Sequence, residues 1–190
     1  MKKAGITIIF LIMTLCTCNG VLAQQEDVLG WNKTRWGMTE KEVLEIFAGK
    51  AKYTSGDQKI KLCQEGCSPT IEIDDFKIGS GKYHVDFCMD TVHKTLKEIK
   101  ISYKFKGPNE FDVSEYEFLD LEDRLKEKHD SPSYEYNSRP EDKELHMKFE
   151  RVWRFPSTII TLMYDIDKKA NTKLFYIYYL QGNKAVPDNK

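Results

Sequence analysis

The sequence predicts an α+β protein of two tandem helix-plus-four-stranded antiparallel meander repeats, with the helices on one face of the sheet. Three observations predict it. Trp36 to Phe47 opens with a complete helix-start signal. Runs of alternating apolar and polar residues follow it in a set of four. A second helical stripe with a second set of strands then recurs at an offset of roughly 75 residues. On this reading residues 1–23 are a signal peptide, 24–107 the first repeat with a short lead-in, 108–181 the second repeat, and 182–190 a polar tail.

The leader comes first. Met1-Lys2-Lys3, the apolar run Ile6 to Leu15 and the small-residue exit Val21-Leu22-Ala23 have the basic start, greasy centre and cleavable end of an exported bacterial chain. The apolar run is short for a bilayer span. The competing reading is a lipoprotein signal at Leu15-Cys16-Thr17-Cys18, in which acylated Cys18 tethers the protein to a membrane; Thr17 is a poor residue before such a cysteine. Cleavage after Ala23 leaves about 167 residues, enough for a sizeable core.

Charge excludes one class of partner. The chain holds 29 basic and 30 acidic residues, and loss of Lys2 and Lys3 with the leader leaves 27 against 30. Signs are interleaved, as in Glu122-Asp123-Arg124-Leu125-Lys126-Glu127-Lys128, whereas nucleic acid calls for a basic excess on one face.

Cys63, Cys67 and Cys88 remain beyond the leader. Cys63 and Cys67 flank Gln64-Glu65-Gly66, a segment able to turn the chain, so these two are the expected disulfide, with Cys88 left as a buried free thiol. Pairing of Cys63 with Cys88 is the rival connectivity.

Gln24 to Thr34 is a polar lead-in around Leu29 and Trp31. The first helix then begins at Thr39, whose hydroxyl and the Glu42 carboxylate are placed to form a capping box, with Met38 and Val43 as a hydrophobic staple. Val43, Ile46 and Phe47 form its stripe, and Gly49 is placed to stop it in a left-handed conformation. Four strand-like runs follow. Lys59 to Leu62 alternates; Thr70 to Ile73 alternates and slips phase to Phe76 and Ile78, which places a bulge near Asp74-Asp75. Tyr83, Val85, Phe87 and Met89 line one face of a third strand, with His84, Asp86, Cys88 and Asp90 on the other. Ile99, Ile101, Tyr103 and Phe105 line a fourth.

Lys106 to Asn109 breaks the pattern. A second helix is expected with Asp112 or Ser114 as cap, Phe118, Leu121 and Leu125 as buried stripe, and Pro132 beyond its end. Ser133 to Tyr136, Leu145 to Phe155, Thr158 to Tyr164 and Thr172 to Leu180 read as the second set of strands.

Trp-Gly-Met-Thr-x-x-Glu-Val at Trp36 to Val43, opening a helix in an exported chain of helix-and-meander units, resembles the bacterial envelope group of SmpA/OmlA (BamE-like) outer-membrane assembly lipoproteins and tandem-repeat β-lactamase inhibitor proteins. The resemblance covers eight residues of motif and the order of elements. It implies the fold described above and a role in binding other proteins, and it supplies no catalytic residues.

Residues that could do chemistry read more simply as structure. Gly79-Ser80-Gly81-Lys82 lacks the spacing and following helix of a phosphate loop and reads as a hairpin turn. Cys63, Cys67, His84 and Cys88 can be written as a zinc set, but His84 and Cys88 lie two pleats apart on one strand, and an oxidising compartment favours the disulfide. His84, His93, His129 and His146 sit in no nucleophile signature. Asp74-Asp75 points to opposite faces. No catalytic residue, no metal ligand and no cofactor is expected.

What remains is aromatic. Leu174 to Leu180 is apolar on both faces, so a sheet covered by helix on one side presents tyrosines on the other. If Ile101, Tyr103, Ile177 and Tyr179 face the helices, then Tyr176 and Tyr178 point away, joined by Thr161 and Met163, with Arg154 beside Trp153 as a charged flank. The other reading is a strand buried on both sides. The expectation is a periplasmic or secreted, non-catalytic protein-binding module, an inhibitor or assembly factor, whose partner is another envelope protein. Contact with a membrane is expected only if Cys18 is acylated. Rival readings are a small periplasmic hydrolase or metal-dependent enzyme, and a purely structural lipoprotein.

Overall fold

A computed structural model describes residues 26–55, 63–105, 111–138 and 146–182. The expected leader, the Cys16–Cys18 segment, the strand at Lys59 to Leu62 and the break at Lys106 to Asn109 lie outside the described residues, as does the tail from 183 onwards.

The eight strands are β1 (Ala51–Tyr53), β2 (Cys67–Ile78), β3 (Gly81–Asp90), β4 (Leu96–Tyr103), β5 (Tyr134–Ser138), β6 (His146–Arg154), β7 (Thr158–Asp167) and β8 (Thr172–Gln181). They form a single antiparallel sheet in the order β1-β2-β3-β4-β8-β7-β6-β5. The helices are short beside it: α1 (Glu40–Ile46) has seven residues and α2 (Phe111–His129) nineteen.

This corrects the expected fold class. The protein is largely β, one continuous sheet, and not an α+β pair of helix-plus-meander repeats. The decisive contact is β4 against β8, where Ile99 to Ser102 pair with Tyr179 to Tyr176. A meander that stopped at β4 would expose an edge of unpaired N–H and C=O groups, and the pairing removes that edge for both halves at once. One apolar cluster results, running from Val43 and Ile71 through Ile101 and Ile177 to Leu162 and Trp153.

The local signals of α1 hold. The Thr39 N–H donates to Glu42 Oε2 at 2.8 Å and the Glu42 N–H to Thr39 Oγ1 at 3.4 Å. Such a cap stabilises by about 1 kcal/mol. Gly49 takes φ +78°, the left-handed conformation that glycine adopts without steric cost. The second helix begins earlier than its expected caps. It starts at Phe111, so Asp112 and Ser114 lie inside it, and buried Ser114 Oγ lies 3.1 Å from Tyr164 OH. Phe118 packs its ring 5.5–6.1 Å from Phe149, Tyr164 and Phe175.

Both helices cover the face that carries Phe87, Ile101, Ile177 and Tyr164. Trp31 of the lead-in fills the gap beside α1, with its ring 5.9 Å from Phe47 and 5.1 Å from Phe76. The lead-in also reaches the β6–β7 turn. Asp27 accepts from the Ser157 N–H at 2.9 Å, and Trp36 Nε1 donates to Thr158 Oγ1 at 2.8 Å. The bulge expected at Asp74-Asp75 is present, with Asp75 at φ +54° and the register shifting between Ile73 and Phe76.

Candidate functional site

The face away from the helices is laid out by register. One rung runs Tyr136, Glu150, Met163, Tyr176, Ser102, His84; the next runs Tyr134, Val152, Thr161, Tyr178, Lys100, Asp86, Glu72, Lys52. Directly opposed residues in a sheet put their side chains on the same side, so each rung is a line of neighbours. The β5–β8 end is aromatic and the β1–β4 end is acidic.

At the aromatic end, Tyr176, Tyr178, Thr161 and Met163 come together. They line a shallow groove of about 380 Å³ with Lys100, Glu150, Cys63 and Gln64. The tyrosine rings meet edge to face with centroids 6.2 Å apart, and Lys100 Nζ sits 5.1 Å from the centre of the Tyr176 ring. Both tyrosines are half-buried, so the wholly buried strand is not what the sheet forms. Burial raises both phenols above their ordinary pKa; a hydrogen bond to Glu98 adds to the shift at Tyr178, and the charges of Glu150 and Asp165 add to it at Tyr176. Glu98 itself is raised by burial, against the opposing bonds from Tyr178 and the Gln64 N–H, the latter 3.0 Å from Oε2. Arg154 is exposed on the same face, opposite Ile159, but lies outside the groove.

The expected disulfide is corrected. Cys63 is bonded to Cys88, and Cys67 is the free thiol. Cys88 is on the helix-free face of β3, opposite Pro69 and Glu98, and the bond brings Cys63 and Gln64 to the lip of the groove. Cys67 instead enters β2 opposite Asp90, where burial pushes its thiol pKa up. A turn between Cys63 and Cys67 is compatible with either connectivity; the β2–β3 register selects one. This disulfide belongs to a compartment more oxidising than the cytoplasm. No described helix is long and apolar enough to cross a membrane.

At the acidic end, His84 stands between two carboxylates. Asp74 Oδ1 is 2.8 Å from Nδ1 and Asp86 Oδ1 is 3.1 Å from Nε2. Its pKa rises to about 9, through the Asp86 bond first, opposed by burial and reinforced by Asp74. Asp74 is held well below the usual carboxylate range by Lys52 and His84. The alternation along β3 already puts His84 and Asp86 on one face. Their convergence with Glu72 depends on the β2–β3 register, which is why a reading of single strands passes over it.

The other histidines serve local structure. His93 Nδ1 is 3.0 Å from Asp90 Oδ1, His146 Nε2 is 2.8 Å from Asp165 Oδ1, and the His129 ring packs 5.2 Å from Phe155. A larger cleft of about 710 Å³ lies between the lead-in and the end of α2, lined by Glu26, Asp27, Lys33, Arg35, Lys128 and Asp130 among others. Its charges are balanced in sign and provide no net field to steer one class of ligand.

No family model, no curated protein and no solved structure matches this chain.

Proposed function

We propose that this is a non-catalytic binding module of the bacterial envelope, docking another envelope protein on the aromatic end of the helix-free face as an inhibitor or assembly factor. The observation that carries the reading is the groove in which the Tyr176 and Tyr178 rings meet beside Thr161 and Met163, with Lys100 and Glu150 at its sides. Tyrosines with an apolar body, a polar tip and few rotors are the side chains that protein interfaces favour, and a polar rim around them is the usual anatomy of a docking patch. The leader-like first 23 residues, the disulfide and the resemblance of Trp36 to Val43 to envelope assembly and inhibitor proteins support the location.

A photo-cross-linking residue at Tyr176, compared with one at Tyr116 on the exposed side of α2, tests the reading in native envelopes. The same discrete adduct should form from position 176 and not from 116, and Met163→Ala/Tyr178→Ala in the chain that carries the probe should lose it while its circular dichroism spectrum is kept. Adducts from both positions alike, or an adduct undiminished in the folded double variant, sink the proposal. Should the double variant unfold, Thr161→Arg places a bulky charge in the groove from β7 and serves the same purpose.

A further inference from the structure

We propose that Glu72, His84 and Asp86 form a binding site for one divalent transition-metal ion of the zinc class. Glu72 and Asp86 stand directly opposite each other across β2 and β3, on the helix-free face. Two like charges so placed repel, and burial in a medium poorer than water strengthens the repulsion. Their side chains are only 5% and 2% exposed. Among the described residues, Glu72 Oε2 and Asp86 Oδ2 are buried without a hydrogen-bond partner. Buried carboxylate oxygens left in that condition are costly to the fold unless a cation reaches them.

The histidine supplies the second argument. Asp74 engages Nδ1 at 2.8 Å and so aims Nε2 at Asp86, 3.1 Å away. A carboxylate behind one ring nitrogen, orienting the other toward further carboxylates, is the outer-shell arrangement of metal-bound histidines. One ligand atom from each of Glu72, His84 and Asp86 lies within 4.8 Å of the others. Ligands of one tetrahedral ion with bonds of about 2.0–2.1 Å lie about 3.4 Å apart, a distance reached by small side-chain rotations. One imidazole and two carboxylates suit a borderline ion such as zinc better than calcium or magnesium, which take oxygen alone. This is not the set of Cys63, Cys67, His84 and Cys88 that the sequence reading set aside; Cys63 and Cys88 are consumed by their disulfide.

A cation already occupies the rim. Lys52 Nζ lies 3.1 Å from Glu72 Oε1 and 2.8 Å from Asp74 Oδ2. It belongs to the three-residue edge strand β1 and is 60% exposed, so its ammonium can withdraw into water. Binding then exchanges that ammonium for the ion, and the proton on His84 Nε2 is released to solvent as the nitrogen lone pair takes up the metal.

Equilibrium dialysis of the intact, oxidised protein against Zn²⁺, with metal analysis of the retentate, tests the site. The wild type should retain one ion per chain, His84→Ala and Asp86→Asn should weaken retention by about tenfold or more, and Cys67→Ser should leave it unchanged. Lys52→Met, which leaves the buried ligands intact, should bind more tightly than the wild type. No retained ion, equal retention by His84→Ala, loss in Cys67→Ser, or an affinity in Lys52→Met no higher than wild type overturns the assignment.

Discussion

The disulfide between Cys63 and Cys88 joins residues 25 apart in sequence and anchors the chain before β2 to the helix-free face of β3, opposite Glu98 of β4. Its two ends have different neighbours. Cys88 is fully buried, whereas Cys63 and Gln64 border the groove.

A first prediction follows from that bond. Alkylation of denatured, unreduced protein lacking residues 1–23 should label Cys67 alone, and reduction should expose two further thiols. Cys63→Ser/Cys88→Ser should lower stability by about 3 kcal/mol, the loop-closure entropy of a ring of this size, while Cys67→Ser should change little. Urea titration of both variants measures it. Labelling of Cys88 without reductant would contradict the connectivity.

The pair of His84 with Asp86 and Asp74 predicts a pH dependence. A histidine whose folded pKa is raised from 6.5 to about 9 contributes stability that is fully present below pH 6.5 and is lost as pH rises through 9. Unfolding free energy in a chelating buffer should therefore fall between pH 6.5 and 9 for the wild type. For His84→Gln the decline over that window should be smaller. Parallel curves for the two proteins would show that the histidine is not held as a cation.

Arg151 occupies a core-facing position of β6, opposite Leu162, and its Nε donates to Glu122 Oε1 of α2 at 2.8 Å. Nη1 donates to the Tyr136 and Glu150 carbonyls, and the guanidinium lies 5.6 Å from the centre of the Phe118 ring. Burial raises Glu122, but the bonds from Arg151 and Lys126 outweigh it and hold the carboxyl below its usual range. Arg151→Ala should cost about 3 kcal/mol at most, because it leaves the buried Glu122 carboxylate with Lys126 as its remaining charged partner. Arg151→Met/Glu122→Leu should recover most of that loss in thermal unfolding. A double variant as unstable as the single one would locate the cost in packing, not in charge.

Features decided within a few residues were legible in the sequence. Thr39 and Glu42 are three apart and satisfy each other's donors wherever the helix is placed, and Gly49 takes its left-handed conformation as read, in the turn beyond the Phe47 cap. Period-two alternation separated Tyr176 and Tyr178 from Ile177 and Tyr179, and His84 and Asp86 from Val85 and Phe87, because a strand sends successive side chains to opposite faces in any sheet. Tertiary structure alone decided which strands became neighbours. Joining β4 to β8 turned an expected pair of repeats into one sheet. The β2–β3 register chose Cys88 over Cys67 as the partner of Cys63 and set Glu72 against Asp86, and a core position took in Arg151 because Glu122 came to meet it. Each of these rests on pairing between residues dozens of positions apart, whose energy depends on how every intervening strand is aligned, and no local pattern carries that information.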